Sequence, residues 1–290
     1  MATVSSRISD ALLAQARASL RACRLCPRAC DVDRTAGKSG AFCRLGADAS
    51  VYRELLSVGE EPEISPTWLI DLGGCSLRCL FCSEWRHVTH PQAAPARPLT
   101  ADWFVPQLRK RKQQGARTIS FAGGDPTVSL VAVLEALAQV PDGDWLPVVW
   151  NCNGWLSDEA LRLLAPVVSI WLVDVKFGNP DCAQRLAGVS GTVNDREVAR
   201  TLAFVRERGL MLRHLAMPGH LDCCTQPVLR WLRDNYPELH VNVMMHYVPF
   251  GPARSGRLPR APELTRLLSP AESVSLGGIH PGPNERVRRK

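Results

Sequence analysis

From Pro66 onward, short and almost continuously apolar segments alternate with segments of helical periodicity. The six candidate strands are 67–72, 117–122, 145–151, 168–175, 210–217 and 240–248. Strands this uniformly apolar are typical of parallel sheets that are buried on both faces. The helical patterns between them cover 100–114, 128–139, 157–165, 195–208 and 225–235. Six βα repeats predict an α/β fold, a partial and open (β/α)6 barrel, because a closed barrel of this kind needs eight.

Local signals mark where two of these helices begin. Thr100 and Ser157 each stand at the start of a helical pattern and belong to the residue types that cap helix N-termini. In (β/α) barrels the reactive side chains lie in the loops that follow the strands. We therefore expect the chemistry of this chain at the carboxyl ends of the six strands.

The bulk composition is that of a globular protein, with 46% hydrophobic and 22% charged residues among 290. No apolar run approaches the roughly 20 residues that a membrane span needs. The first residues lack the order of basic, apolar and small residues of a signal peptide. We therefore expect a cytoplasmic protein with no membrane partner, whose eleven cysteines stay reduced and whose clustered cysteines bind metal.

The chain carries a net charge of +7. Its densest basic groups lie at 109–112 and 286–290. We interpret them as a solvated helix face and a frayed tail rather than as a phosphate-binding stripe. Nucleic acid is therefore not an expected partner.

The texture of the sequence predicts three segments. Residues 1–62 combine an amphipathic helix over 10–25 with a cysteine-rich, metal-binding extension. Residues 63–250 hold the predicted barrel. Residues 251–290 form a C-terminal extension with the basic tail.

The loop after the first strand contains Cys75, Cys79 and Cys82, spaced C-x3-C-x2-C. A closed structural zinc site takes four protein ligands. Three thiolates at the open end of a barrel suit an iron–sulfur cluster in which one iron lacks a protein ligand and can bind a substrate or cofactor. The alternative is a zinc site completed by His87 or His90.

A second cysteine group precedes the barrel. Its members are Cys23, Cys26, Cys30 and Cys43, spaced C-x2-C-x3-C-x12-C. Four thiolates saturate either Zn²⁺ or a second [4Fe–4S] cluster, so the site is predicted to be structural or electron-relaying. The remaining cysteines show no ligand spacing and are interpreted as core or surface thiols; they are Cys152, Cys182, Cys223 and Cys224.

Polar motifs follow three further strands. The second strand ends in FAGGDPT (121–127), the third in WNCNG (150–154) and the fourth in DVKF (174–177). Glycines permit close backbone approach, and a carboxylate accepts a charge-assisted hydrogen bond from an ammonium. An Asn-Gly turn and a salt bridge at the barrel rim are the structural alternatives for the last two motifs.

The segment CSLRCLFC (75–82), with an aromatic residue before its last cysteine, resembles the signature of radical S-adenosylmethionine enzymes. The resemblance implies that Cys75, Cys79 and Cys82 hold a [4Fe–4S] cluster, and that the amino and carboxylate groups of S-adenosylmethionine chelate its fourth iron. One electron from the cluster then cleaves the sulfonium to methionine and a 5′-deoxyadenosyl radical, which abstracts a hydrogen atom.

The resemblance also implies residues that bind S-adenosylmethionine. Gly123, Gly124 and Asp125 match a Gly-Gly-Glu-Pro motif that holds the methionyl ammonium, with aspartate in place of glutamate. Asn153 corresponds to a polar residue near the carboxylate or ribose. The fourth strand supplies Asp174 and Lys176 as further implied contacts. The fifth supplies Arg213 or His214, and His246 after the sixth strand is another candidate for the ribose.

The cysteine-rich extension, GEEPEIS, the cluster loop, GGDPT and RHLAMPG together resemble the branch of pyruvate formate-lyase activating enzyme, over about residues 23–250. This implies a one-electron donor such as flavodoxin or ferredoxin, and a glycyl radical enzyme or another protein as the substrate. The loop departs from the branch where it continues CSEW.

Three functions therefore remain open. The first is activation of a glycyl radical enzyme, and the second is radical modification of a metabolite or peptide. The third is a metal-binding nucleic-acid or scaffold protein that does not cleave S-adenosylmethionine. The aromatic residues sit in strand-like positions rather than among the basic runs, which disfavours nucleic-acid binding.

Overall fold

The structure is a computed structural model that describes residues 7–37, 40–93, 95–278 and 285–288. It contains all six strands predicted from the apolar pattern, each within three residues at its start and four at its end. The strands of the described residues are β1 Ser50–Ser57, β2 Thr67–Leu72, β3 Arg97–Pro98, β4 Thr118–Gly123, β5 Val148–Cys152, β6 Val168–Asp174, β7 Leu210–Leu215, β8 Val241–Met244 and β9 Glu285–Arg288.

The five predicted helices between the strands are also present. The α-helices of the described residues are α1 Asp10–Ala18, α2 Trp85–Thr89, α3 Ala101–Gln113, α4 Leu130–Ala138, α5 Asp158–Leu164, α6 Pro180–Ala187, α7 Gly191–Val205, α8 Gln226–Asn235 and α9 Pro270–Gly278. Both predicted caps are confirmed. The Thr100 side chain accepts a hydrogen bond from Trp103 N at 3.4 Å, and Ser157 accepts one from Ala160 N at 3.2 Å.

The chain divides into two compact units, and the first comprises residues 1–76 and 86–171. Its strand order is β3-β1-β2-β4-β5-β6, with the first four residues of β6 in this unit. Strands β2, β4 and β5 pair in parallel, whereas β1 pairs antiparallel with β2. The parallel register sets Leu72 opposite Gly123, so the loops that follow β2 and β4 leave the same edge of the sheet.

The second unit comprises residues 77–85 and 172–290. Its strand order is β6-β7-β8-β9, and β8 pairs in parallel with both β7 and β9. The basic segment at 286–290 was predicted to be a frayed tail. That prediction is wrong for 286–288, because β9 pairs with β8 there; residues 289 and 290 lie outside the described residues.

Both units are therefore built from βα repeats around an open and mostly parallel sheet. This confirms the predicted fold class, an α/β protein with a partial (β/α) barrel. None of the helices in the part of the chain that the structure describes is both long and apolar enough to cross a membrane.

One helix is shorter than predicted. The apolar pattern predicted a helix over 10–25, but α1 ends at Ala18. The pattern continues because Leu20, Cys23 and Leu25 are buried in the irregular segment that follows. Burial alone, without helical backbone, accounts for the extra apolar positions.

Candidate active site

The first unit places the start of the cysteine loop directly after β2. Gly74 has φ +80° and lies so close to the N-terminal extension that a Cβ there would be 2.8 Å from Leu45 Cδ1 and 3.0 Å from Cys43 O. Only glycine combines this backbone conformation with this contact. Cys75 follows immediately and is buried.

The Gly-Gly-Asp motif after β4 packs against the same loop. Gly124 N donates to Leu72 O at 2.8 Å, and Asp125 N donates to Gly74 O at 3.0 Å. A Cβ on Gly124 would lie 1.9 Å from Gly74 O, inside any tolerable contact. The close approach of Gly124 to Gly74 therefore allows the backbone after β4 to lie against the backbone that leads into Cys75.

Asp125 and Asn153 connect three strand ends. The buried Asp125 carboxylate accepts hydrogen bonds from Thr127 N and Asn153 N, both at 2.9 Å. Asn153 Nδ2 in turn donates to Ser76 Oγ at 3.1 Å and lies 3.8 Å from Cys75 Sγ. The polar residues that follow β4 and β5 are thus held against the loop that begins with Cys75.

Asn153 also forms the Asn-Gly turn that was the structural alternative for this motif. Its Oδ1 accepts a hydrogen bond from Trp155 N at 2.9 Å, across Gly154 at φ +75°. The side chain closes an Asn-Gly turn with one end and contacts the cysteine loop with the other. The two interpretations are compatible because the amide group has both a donor and an acceptor.

The second unit holds the rest of the cysteine loop. Backbone hydrogen bonds tie it to the end of α6, from Arg78 N to Ala187 O at 3.2 Å and from Leu80 N to Leu186 O at 2.8 Å. Burial raises the pKa of the Cys79 thiol to about 12, and the nearby Lys176 acts in the opposite direction. A buried thiol of this kind carries charge only when a cation stabilises the thiolate.

The DVKF motif forms a charged group at the end of β6. Asp174 binds Lys176 Nζ at 2.9 Å and Arg213 Nε at 3.0 Å. Burial alone would raise the pKa of Asp174, but the two cations lower it to about 2. The carboxylate is therefore ionised at neutral pH and orients both cations. The salt bridge considered as the structural alternative is present.

His214 is held by the protein at both ring nitrogens. Nδ1 lies 2.7 Å from Val175 O, and Nε2 lies 3.0 Å from Thr225 Oγ1. Burial lowers the pKa of His214 to about 4, although the bond to the Val175 carbonyl opposes that shift. The neutral ring thus links β7 to the end of β6 and to the turn before α8.

The segment after β8 contacts the cysteine loop, which the sequence did not reveal. Ala253 N donates to Leu80 O at 3.1 Å, and a Cβ on Gly251 would lie 2.7 Å from Cys82 O. Gly251 has φ +53°. The only signal for this contact in the sequence is the glycine itself, and a single glycine occurs in many kinds of turn and loop.

The four N-terminal cysteines line one cavity in the first unit, together with Arg34 and Ser76. All four are free thiols. Burial raises the pKa of Cys26 to about 12 and also raises that of Cys43. The structure thus brings together the four side chains that the spacing predicted to form one site.

Arg34 is a member of this site that sequence reasoning missed. It is 1% exposed, and its guanidinium donates to the carbonyls of Leu45, Gly46 and Val128. Its Nη1 lies 3.5 Å from Cys23 Sγ. A buried cation is costly unless hydrogen bonds and a nearby negative charge stabilise it.

Arg28 joins the two cysteine groups within the first unit. Its Nε donates to Ser76 O at 2.9 Å, and its guanidinium lies 3.8 Å from the Phe42 ring centroid. Arg28 stands between Cys26 and Cys30 in the sequence. The N-terminal extension therefore contacts the residue that follows Cys75.

A family comparison matches this arrangement. The sequence model of the radical SAM superfamily matches residues 69–232, which include the cysteine loop and the ends of β2, β4, β5, β6 and β7. The chain belongs to the radical SAM superfamily and is a radical SAM enzyme. Membership implies a [4Fe–4S] cluster and S-adenosylmethionine as cofactors, together with a reductant.

Individual proteins are also similar to this chain. The chain is 30% identical over 284 residues to MJ0674 of Methanocaldococcus jannaschii, an uncharacterised protein, covering 96% of this chain and 82% of that one. The crystal structure of Streptococcus suis SuiB bound to the precursor peptide SuiA is similar in fold. Its TM-score is 0.51 at 12% identity, over 74% of this chain and 47% of SuiB. This chain thus spans about half the length of SuiB.

QueE from Escherichia coli is also similar, with a TM-score of 0.46 and 12% identity over 83% of this chain and 92% of QueE.

Proposed function

We propose that Cys75, Cys79 and Cys82 hold the [4Fe–4S] cluster and that the polar strand ends bind S-adenosylmethionine beside it. One observation supports this above the others. Asn153 Nδ2 lies 3.8 Å from Cys75 Sγ, and the backbone N–H of Asn153 donates a hydrogen bond to the Asp125 carboxylate. The GGDP and CNG motifs therefore meet at the first cysteine of the loop. Polar side chains from the ends of two neighbouring strands thus meet at the start of the cysteine loop.

The residues fit the cofactor by their chemistry. None of the three cysteines is in a disulfide, and burial raises the pKa of both Cys79 and Cys82. Such thiols are poorly ionised without a cation and become thiolates when iron binds. When bound, the cluster and S-adenosylmethionine supply one-electron cleavage of the sulfonium to a 5′-deoxyadenosyl radical.

The chain's own residues would bind and orient the co-substrate. The loop glycines Gly123 and Gly124 would allow close approach to the methionyl group, with Asp125 fixing the loop. Lys176 would bind the carboxylate of S-adenosylmethionine. The side chain of Asp174, which holds Lys176 in place, keeps its negative charge at neutral pH. We include His214 as a residue that orients the end of β6, since it binds Val175 O there.

We further propose that the substrate is a protein glycine, as in the pyruvate formate-lyase activating-enzyme branch. The support is the resemblance of the sequence over about residues 23–250, including the cysteine-rich extension. Two cysteine groups at metal-ligand spacing support the reducing, cytoplasmic setting that we propose, with flavodoxin or ferredoxin as electron donor. The division into segments 1–62, 63–250 and 251–290 also remains a proposal.

The substrate class is tested by electron paramagnetic resonance. Reduced, reconstituted protein is mixed anaerobically with S-adenosylmethionine and pyruvate formate-lyase as the probe protein. We expect a glycyl radical signal and an equivalent amount of 5′-deoxyadenosine. If 5′-deoxyadenosine forms without a glycyl radical, the branch assignment fails and a metabolite or another peptide becomes the substrate. The control is pyruvate formate-lyase from which the glycyl radical loop has been removed.

For the N-terminal cavity we propose a metal centre held by Cys23, Cys26, Cys30 and Cys43, either a second [4Fe–4S] cluster or Zn²⁺. The convergence of four thiols around the buried cation Arg34 supports an anionic metal–thiolate centre. Four protein ligands leave no open position, so the centre would be structural or electron-relaying.

Replacing Cys26 with alanine separates the two centres. We expect the radical cluster to keep its spectroscopic signal, since its ligands lie elsewhere, while folding stability or electron delivery weakens. Iron and zinc per chain and the low-temperature electron paramagnetic resonance spectrum with S-adenosylmethionine are the measurements. If Cys26→Ala removed the radical cluster itself, the assignment of two separate ligand sets would be wrong.

A further inference from the structure

A third group of metal-ligating side chains lies in the second unit, away from both predicted cysteine sets in the sequence. Its members are Cys182, His220, Cys223 and Cys224, whose ligand atoms all lie within 4.8 Å of one another. Cys182, His220 and Cys224 are buried, and Cys223 is half-buried. From this juxtaposition we propose a structural Zn²⁺ site of the Cys3His type.

The distances fit a tetrahedral ion. Zn–S bonds of about 2.3 Å place two sulfur ligands about 3.8 Å apart, and Zn–N bonds of about 2.0 Å place nitrogen and sulfur about 3.5 Å apart. Cys182 Sγ and Cys223 Sγ are 3.7 Å apart. His220 Nδ1 lies 3.4 Å from Cys182 Sγ and 3.2 Å from Cys223 Sγ. The two sulfurs are too far apart for a disulfide, whose S–S bond is about 2.05 Å.

The histidine is oriented as a metal ligand. Its Nε2 lies 2.9 Å from Glu263 Oε1, and Arg185 holds the same carboxylate at 2.7 Å. Arg185 Nη2 also lies 3.4 Å from Nε2, but the shorter contact to the carboxylate assigns the proton to Nε2. Nδ1 then directs its lone pair at the two sulfurs. A carboxylate behind a ligating histidine is the usual outer partner of a zinc site.

The backbone explains how adjacent cysteines face one ion. Leu221–Thr225 forms a single π-helical turn, in which Thr225 N and Cys224 N both donate to His220 O, at 3.1 and 3.0 Å. The wider turn changes the angular spacing of successive side chains. Cys182 comes from the first turn of α6, which the Asn179 side chain caps.

The site would fix the element that holds the cysteine loop. Its ligands join α6 to the turn between β7 and α8, and the last residues of α6 bind Arg78 N and Leu80 N. Since four protein ligands leave no open position, the ion would be structural. The proposal does not depend on S-adenosylmethionine cleavage.

The site is tested by the zinc content of the full-length protein, measured as zinc ions per chain by elemental mass spectrometry. We expect Cys182→Ser and Cys223→Ser each to lower zinc by one equivalent, whereas Cys152→Ser, a buried cysteine of β5, keeps the wild-type value. Glu263→Gln should lower the affinity for zinc about 10- to 100-fold, measured in competition with a chelator, because it removes the carboxylate behind His220 and none of the ligands. Glu238→Gln, which alters an exposed ion pair with Arg206, is the matched control.

The wild-type protein gives a test that needs no variant to fold. Zinc X-ray absorption should show a nitrogen neighbour at about 2.0 Å beside sulfur at about 2.3 Å, since the N-terminal set contains only cysteines. Wild-type protein without zinc, a zinc spectrum with sulfur neighbours only, or a peptide map with Cys182 and Cys223 in a disulfide would each overturn the proposal.

Discussion

Replacing Cys79 with alanine should abolish S-adenosylmethionine cleavage and remove the radical cluster. Cys79 is buried, and its backbone neighbours Arg78 and Leu80 are fixed to the end of α6, so no other thiol can move into its place. A cluster with two remaining ligands from this loop is not expected to persist through purification. The measurements are iron and sulfide per chain and 5′-deoxyadenosine formed after reduction, which we expect to fall to background.

Cys152→Ala is the matched control for this experiment. Cys152 is also buried, at the end of β5, but belongs to none of the three proposed ligand sets. We expect it to keep the full iron content of the wild type. A Cys79→Ala protein that still turned over S-adenosylmethionine would remove Cys79 from the ligand set.

Gly124→Ala should have the second largest effect, on both stability and co-substrate binding. The added Cβ would lie 1.9 Å from Gly74 O, a backbone atom that cannot move without displacing Cys75. Overpacking usually costs about 1–3 kcal/mol, and we expect the upper end, about 3 kcal/mol, because the obstacle is backbone. Thermal unfolding of the reconstituted protein measures the loss, and equilibrium binding of S-adenosylmethionine should weaken in parallel.

Gly143→Ala provides the comparison. Apart from its own neighbours in the chain, no atom of the residues that the structure describes lies within 4 Å of a Cβ at Gly143, and its φ is not in the left-handed region. We expect its stability to stay within about 0.5 kcal/mol of the wild type. If Gly124→Ala melted like Gly143→Ala and bound S-adenosylmethionine normally, the close approach of the two loops would not exist in solution.

The barrel strands could be predicted because each is an almost continuously apolar run, as at 67–72, which matches β2 at both ends. Strand β1 was missed because only its first three residues are buried; the remaining five, which include Arg53 and Glu54, are exposed or half-buried. Helix α6 was missed because Pro180 and Asp181 at its start were not recognised as a helix N-terminus, although Asn179 caps it.

Ligand sets were predictable only where the ligands are close together in the sequence. Cys75, Cys79 and Cys82 fall within eight residues, and their spacing alone predicts a metal-binding set. Cys182 and His220 are 38 residues apart and meet only because α6 packs against the turn after β7. The adjacent cysteines Cys223 and Cys224 do not have an ordinary ligand spacing. A π-helical turn brings both side chains toward Cys182 and His220, and nothing in the sequence predicts that turn. Their interpretation as core or surface thiols missed this convergence.

Buried polar partners were the other gap. Arg34 looks like any basic residue in the sequence, and its burial beside Cys23 follows from the path of the extension rather than from a local pattern. Asp125, by contrast, was singled out from its motif, and the structure adds that both its oxygens bind backbone N–H groups.

The most direct test of the central claim is anaerobic turnover by the wild-type protein. The protein is reconstituted with iron and sulfide, reduced and given S-adenosylmethionine, and 5′-deoxyadenosine is assayed while iron per chain is counted. The account predicts 5′-deoxyadenosine with about four irons if the N-terminal centre is zinc, or about eight if it is a second cluster. Bound iron without any 5′-deoxyadenosine, with candidate substrates present, would contradict it and leave a scaffold that holds a cluster but does not cleave S-adenosylmethionine.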